Sequence, residues 1–185
     1  MKTISKLALV AAFATGASSM ALTAPAFAKD KKADAAATVK LSPEVQKPGL
    51  AAQTALTAKD YATAQTAIDQ VDAAAKTDYE KYIGAALRYQ LESEKLVAAQ
   101  TANPNAPINE TTLATPLDAL IANPATPAAD RGRYAYRRGA LAFNGKQYPI
   151  ALQYFAKAKE LGYNDPNLSL QIIKAKMDSG DVAGA

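Results

Sequence analysis

Apolar side chains recur along this chain at intervals of three and four residues, not two. Ile83, Leu87 and Leu91 fall at every fourth position, flanked by Tyr79, Tyr82, Ala86 and Tyr89, which makes one face of a long helix apolar. Leu113, Leu117, Leu120 and Ile121 form a second such face. No alternating segment of useful length occurs, so the pattern predicts an all-α fold. Turn and cap residues set the helix ends. Ser42-Pro43-Glu44 is a helix start, a capping hydroxyl followed by Pro in the first turn. Pro48-Gly49 interrupts it and places the first regular helix at 48–57. Asp60 caps a helix to Ala75, and Thr77 with Glu80 forms a capping box opening a long helix to Gln100. Asn103-Pro104-Asn105-Ala106-Pro107 breaks the chain. A shorter helix follows over 110–122, with Pro116 placed to kink it, and Asn123-Pro124-Ala125-Thr126-Pro127 breaks the chain again. Asp130 is expected to cap a helix to Phe143, and Asn144-Gly145-Lys146 to make a tight turn. Residues 147–161 then form a helix stopped by Gly162, and Asp165-Pro166 starts the last one, to Asp178.

The first 28 residues read as a targeting segment and not as part of the fold. Two lysines precede an uncharged run from Leu7 to Leu22, and Ala26 and Ala28 give the small-x-small pattern that a signal peptidase accepts before Lys29. The run is shorter than the roughly 20 apolar residues that a membrane span needs. The expectation is a general secretory signal, with a mature protein that begins at Lys29, carries no membrane span and is periplasmic or secreted. Residues 29–43 are charged and poor in large apolar side chains, and are expected to be a flexible leader to an array over 44–185.

Composition narrows the chemistry. The 185 residues contain no Cys, no His and no Trp. That excludes disulfides, thiolate nucleophiles, Cys/His zinc sites and an imidazole general base. Alanine, at 44 residues, supplies about half of the 49% apolar share, so a core here is built from closely approaching helices with few large side chains. Without residues 1–28 the chain has 19 basic and 17 acidic side chains. The net charge is then +2, and the isoelectric point of 9.1 overstates the basicity of the mature protein. Such a balance gives no electrostatic case for nucleic acid.

The chain also repeats. Asn144 to Ala151 aligns with Asp178 to Ala185 at an offset of 34 residues, and Thr57 to Ala64 is a third copy. Each has a polar turn, an apolar residue and then Ala three positions later. Ala151, Phe155 and Ala158 share one helical face, as do Ala64, Ile68 and Val71. Gly139 and Ala52 lie twelve residues before the two alanines, and small residues there let two helices approach closely. The period, with Gly139, Tyr148, Ala151, Phe155 and Ala158, resembles the tetratricopeptide repeat. The match covers about 132–165, more weakly 45–78, and the first part of another copy at 166–185. Ala142 stands where that family prefers an aromatic, Tyr163 where it prefers Pro, and 79–131 fits only as a stretched repeat. The resemblance implies antiparallel hairpins, about seven helices, stacked as an α-solenoid. It also implies that the chain stops one turn into the second helix of its last hairpin. Leu168, Ile172, Ile173 and Met177 would then lack a partner helix, and the chain would be a piece of a longer array.

Candidate site residues follow from the same register. The densest cluster is Asp130 to Arg138, with four Arg and two Tyr, a composition that suits carboxylates, phosphates or anionic glycans. By the resemblance, the first helix of each hairpin lines a concave groove. That places Arg133, Tyr136, Ala140, Phe143 and Asn144 there, with Asn167, Leu170, Lys174, Met177 and Asp178 on the next copy. Arg137 and Arg138 fall partly at helix contacts. Glu80, Glu92, Glu94 and Glu110 read as exposed carboxylates beside Lys81 and Lys95, not as an acid/base pair. No phosphate loop or nucleophile elbow is present. The expectation is an adaptor with no catalytic residue, cofactor or metal, holding a segment of another protein. The alternatives are a module for cell-wall or anionic polysaccharide using Arg133 and Tyr136, and an array that self-associates through its C-terminal end.

Overall fold

The computed structural model describes residues 40–105 and 109–180. The signal-cleavage residues Ala26, Ala28 and Lys29, and the start of a further helix at 181–185, lie outside the described residues. Residues 41–185 form one compact unit. Among the described residues it is entirely helical: α1 (Pro43–Thr57), α2 (Tyr61–Ala74), α3 (Asp78–Ala102), a 3₁₀ turn (Thr111–Leu113), α4 (Ala114–Ala122), α5 (Ala128–Asn144), α6 (Tyr148–Glu160) and α7 (Pro166–Asp178). Each helix packs chiefly on its neighbours in sequence. The pairs α1/α2 and α5/α6 have the largest interfaces, and α1 also reaches α3 as α5 reaches α7.

Local chemistry explains most of the ends. The Asp60 carboxylate accepts from the Thr63 amide at 3.1 Å and the Thr63 hydroxyl at 2.6 Å, opening α2. The Thr77–Glu80 capping box is fully formed at the start of α3. The Asp165 side chain accepts from the Asn167 amide at 2.8 Å and opens α7. α1, α5 and α6 end in one kind of turn. In each, the third residue past the helix donates its amide five residues back: Asp60 to Ala55 O, Gln147 to Ala142 O and Tyr163 to Ala158 O. This Schellman geometry needs a left-handed residue just before. Lys59 (φ 58°), Lys146 (φ 58°) and Gly162 (φ 80°) supply it. At the end of α7, Ser179 and Gly180 donate to Ala175 O and Met177 O, and Gly180 sits at φ 87°. The repeated turns at 59, 146 and 180 are the structural counterpart of the sequence repeat.

Four expectations are corrected. α1 is continuous through Pro48, which is buried inside it. Pro48 lacks only the amide that would reach Glu44 in the first turns, where the carbonyl belongs to an exposed residue. Ser42 makes no side-chain cap on α1. Its hydroxyl donates to Glu80 Oε1 at 2.5 Å and its amide to the same oxygen at 3.0 Å. Asp130 is not the cap of α5; Pro127 holds that position and Asp130 lies in the first turn. The 110–122 helix is divided into the 3₁₀ turn and α4. Pro116 falls in the first turn of α4, where its missing N–H costs nothing.

The core is alanine-rich and close-packed. In the first hairpin Val45, Ala52, Leu56, Ala64, Ile68 and Val71 are buried. Leu113, Leu117 and Leu141 form a cluster with Tyr89, Leu96 and Tyr134, tying α3, α4 and α5 together. Ala135, Ala142, Ala151, Phe155, Ala158, Leu168 and Ala175 form a third group across α5, α6 and α7. Phe155 is its one large fully buried side chain and contributes about 2–3 kcal/mol by burial alone. It enters this space because Gly139 has no side chain. An added Cβ at Gly139 would lie 2.5 Å from Phe155 Cδ1 and 3.2 Å from the Ala151 carbonyl oxygen. Leu168 and Ile172 were expected to lack a partner. They pack inward against this group, and only Ile173 and Met177 of the four stay exposed.

Candidate functional site

The site expected from the register lies on α5 and α7. Phe143 sits edge-on to Tyr148, with ring centroids 5.7 Å apart. The Lys174 ammonium lies 5.4 Å from the Phe143 centroid, within range of a cation–π attraction. Asn144 follows Phe143 and donates its side-chain amide to Glu110 Oε2 at 3.3 Å. Phe143, Asn144 and Lys174 are therefore brought together. Leu170 stands one turn before Lys174 on α7 and is 66% exposed. Arg133 is ten residues before Phe143, about 15 Å along α5. Its side chain is 71% exposed and pairs with Asp130 at 3.3 Å.

Tyr136 is not an open groove side chain. Its ring stacks on Tyr163 at 4.9 Å and tilts against Phe155 at 5.8 Å, so it fastens α5 to the connection between α6 and α7. Burial raises the Tyr136 pKa above its ordinary value, and the Asp165 charge adds to this. Burial, with Asp165 next, pushes Tyr163 up to about 12. Both phenols stay neutral and act as packing groups.

Two of the four arginines in the cluster are spent on contacts with another segment. Arg137 Nη2 meets Glu110 Oε1 at 2.6 Å, with both side chains at least four-fifths buried. Arg138 Nε meets Asp118 Oδ1 at 3.0 Å and its guanidinium lies 4.7 Å over the Tyr154 ring. The Tyr154 hydroxyl donates to the same Asp118 oxygen at 2.6 Å. These groups pin α5 and α6 to the 110–122 segment. Sequence reasoning missed Glu110, Asp118 and Tyr154 as partners. Nothing in their local spacing marks them, since the partners lie 20 to 36 residues apart.

Glu80 was expected on an exposed face and is instead 3% exposed. Besides the two bonds from Ser42, its Oε2 accepts the amides of Lys76 at 2.9 Å and Thr77 at 3.1 Å. The Ser42 hydroxyl first, then these amides, hold its carboxyl well below the ordinary carboxylate range. Its role is to join the start of α1 to the start of α3. Glu92 pairs with Lys95 at 3.0 Å. Arg88 forks onto Asp69 and Asp72 at 2.7 and 2.6 Å, joining α2 to α3.

Two shallow depressions open on the surface. One, of about 390 Å³, lies between α1 and α2 and is lined by small and polar groups such as Ala51, Thr63 and Gln70. The other, of about 300 Å³, is lined by Asp72, Lys81, Arg88 and Pro116. Among the described residues no three carboxylates converge as a metal cluster would require, and no helix is long and apolar enough to cross a membrane. The described surface does carry exposed large apolar side chains. Three of the five are on α7: Leu170, Ile173 at 44% and Met177 at 56%. Comparison with family models, curated proteins and solved structures finds no match for this chain.

Proposed function

We propose that this protein is an exported, non-catalytic interaction module, a tetratricopeptide-like stack of helical hairpins that holds a segment of another protein. The observation that carries this reading is the open apolar surface of α7. Leu170, Ile173 and Met177 expose side chains that a solitary domain gains by covering, and Lys174 beside Phe143 supplies a charged edge. Elsewhere Arg137 and Arg138 of α5, and Asp69 and Asp72 of α2 with Arg88, are committed to holding helices together. The repeated turns at 59, 146 and 180 support the hairpin reading. A rigid stack of this kind loses little freedom on binding and can offer a long surface. The charge balance gives no reason to expect nucleic acid.

The test is cross-linking in the native host. A photoreactive residue is placed at Asn144 or at Leu170, with Ala73 on the exposed side of α2 as the control. A discrete protein adduct from 144 or 170, and none from 73, is expected. A second reading rests on Arg133, whose side chain is exposed beyond its loose pair with Asp130; it takes anionic polysaccharide as the ligand. No adduct from either position, with co-sedimentation on cell-wall polysaccharide that Arg133→Ala abolishes, would replace the first reading with the second.

A further inference from the structure

Asn144 is followed by Gly145, the one Asn-Gly step among the seven asparagines of the chain. The pair matters chemically because the side-chain carbonyl carbon of an asparagine is an electrophile within reach of the next backbone nitrogen. A side chain on the following residue crowds that nitrogen, and glycine has none. Asn103 and Asn123 precede proline, whose nitrogen carries no proton to lose. Asn105, Asn109, Asn164 and Asn167 precede residues that bear side chains. The step at 144 is therefore the least hindered of the seven.

The fold puts this step at a helix end. Asn144 is the last residue of α5, Gly145 is its C-cap, and both are exposed. A Cβ at Gly145 would meet nothing closer than 3.5 Å, so the space around the nitrogen is open. Two hydrogen bonds oppose reaction. The Gly145 amide donates to the Leu141 carbonyl at 3.1 Å, which occupies the nucleophile. The Asn144 side-chain amide donates to Glu110 Oε2 at 3.3 Å, which fixes the electrophile. Both bonds belong to the last turn, where a helix opens most readily. The second is at the long end of the hydrogen-bond range. Glu110 itself is largely buried and held by Arg137 at 2.6 Å. When the end of α5 frays, Asn144 is the partner that moves.

We propose that Asn144 is a site of spontaneous deamidation whose rate is gated by Glu110. The Gly145 nitrogen attacks Asn144 Cγ and a C–N bond forms. The Cγ–Nδ2 bond breaks, and ammonia leaves with the proton of the Gly145 nitrogen. Water then opens the cyclic imide at either carbonyl and gives aspartate or its β-linked isomer. Water is the only co-reactant. In both products a carboxylate replaces the group that donated to Glu110, and the like charges repel. In the β-linked isomer the main chain also gains a carbon. It does so just before the turn in which Lys146 donates to Phe143 O and Gln147 to Ala142 O, the turn that sets α6 against α5. The modification loosens α5 from the 110–113 segment and puts a negative charge next to Phe143, on the surface where the partner is sought. It stands on local chemistry and does not rest on that partner.

The full chain is held in mildly alkaline buffer and digested at intervals. Trypsin cuts after Arg138 and Lys146 and delivers residues 139–146, with Asn144 as their one asparagine. The peptide gains one mass unit when its amide becomes a carboxyl, and chromatography separates the two isomers. The expected result is modification of this peptide ahead of every other asparagine-containing peptide, with both isomers present. Gly145→Ala, which the backbone accepts, should slow it at least fivefold. Glu110→Ala should speed it at least threefold, and Glu110→Gln by less, since the glutamine oxygen still accepts from Asn144. Asp60→Ala removes the cap of α2 in the first hairpin and reports on global unfolding; it should leave the rate unchanged. An unmodified peptide from the folded chain, or a faster reaction at another asparagine, would overturn the site. Equal acceleration by Glu110→Ala and Asp60→Ala, or a rate that urea does not raise, would overturn the gate. The modified protein is then isolated by ion exchange and unfolded in urea. A lower midpoint is expected, and one equal to the parent's would overturn the loosening.

Discussion

Gly139→Ala adds a single methyl group where α5 packs directly against Phe155 of α6. The new Cβ would stand 2.5 and 2.7 Å from Phe155 Cδ1 and Cε1, and 3.2 Å from the Ala151 carbonyl oxygen. Carbon pairs settle at about 3.5–4.0 Å, so the ring must retreat by about 1 Å. It has little room: Phe155 is fully buried and its ring also packs against Tyr136. Overpacking of this kind costs about 1–3 kcal/mol. Against that, replacing Gly by Ala inside a helix recovers about 1 kcal/mol. With a backbone oxygen on one side and a filled core on the other, the penalty belongs in the upper part of its range. The expected net loss is about 1–2 kcal/mol.

Urea unfolding followed by helical circular dichroism measures this, provided the slope with denaturant is unchanged. Gly145→Ala is the control. Its Cβ would meet nothing closer than 3.5 Å, and its φ of −78° suits any residue. That variant should match the parent or slightly exceed it. In a Phe155→Leu background the Gly139→Ala penalty should fall by at least half, because the clashing ring atoms are gone. A Gly139→Ala protein as stable as the parent, or an equal penalty in both backgrounds, would refute the argument that the hairpin is set by glycine against phenylalanine.

Three further outcomes are expected. Glu110→Ala leaves the largely buried Arg137 without its 2.6 Å partner and frees Asn144, and should cost about 1–3 kcal/mol in the same urea assay, with Glu110→Gln losing less. Lys146→Gly relieves a left-handed backbone at φ 58° and should raise the thermal midpoint, by up to about 1 kcal/mol of stability after the added freedom of the unfolded chain is deducted. Stability should be flat between about pH 5.5 and 9, since the chain has no His. Glu80 and Asp69 have lowered folded pKa values, from hydrogen bonds to Ser42 and Arg88 respectively. Their contribution is present above their ordinary values of 4.5 and 3.8 and is lost as pH falls below them. Tyr163, raised by burial, is stabilising below its ordinary 10.0, and that contribution drains away between pH 10 and about 12. A pH series of unfolding midpoints checks both limbs, and Glu80→Gln should flatten the acid limb.

What could be read in the sequence was local or periodic. The Thr77–Glu80 box, the Asp60 cap and the Asp165-Pro166 start each need only three or four neighbouring residues, and each is present. The 34-residue offset needs only self-comparison, and it placed Gly139 against the second helix of its hairpin correctly. What could not be read was set by groups far apart in the chain. Ser42 looks like a cap until Glu80, 38 residues on, offers a buried carboxylate that both its amide and its hydroxyl can reach. Pro48 looks like a break until the first hairpin buries it and makes a continuous helix worth more than one lost bond. The arginines of α5 look like a ligand site until Glu110 and Asp118 arrive from another segment. Tyr136 looks like a groove residue until Tyr163 stacks on it. α7 joins both kinds of information. The repeat says which of its faces a second helix would cover; only the fold shows that Leu168 and Ile172 are covered by α5 and α6, while Leu170, Ile173 and Met177 still face outward. Periodicity names the stripe, and the described part of the fold leaves it exposed.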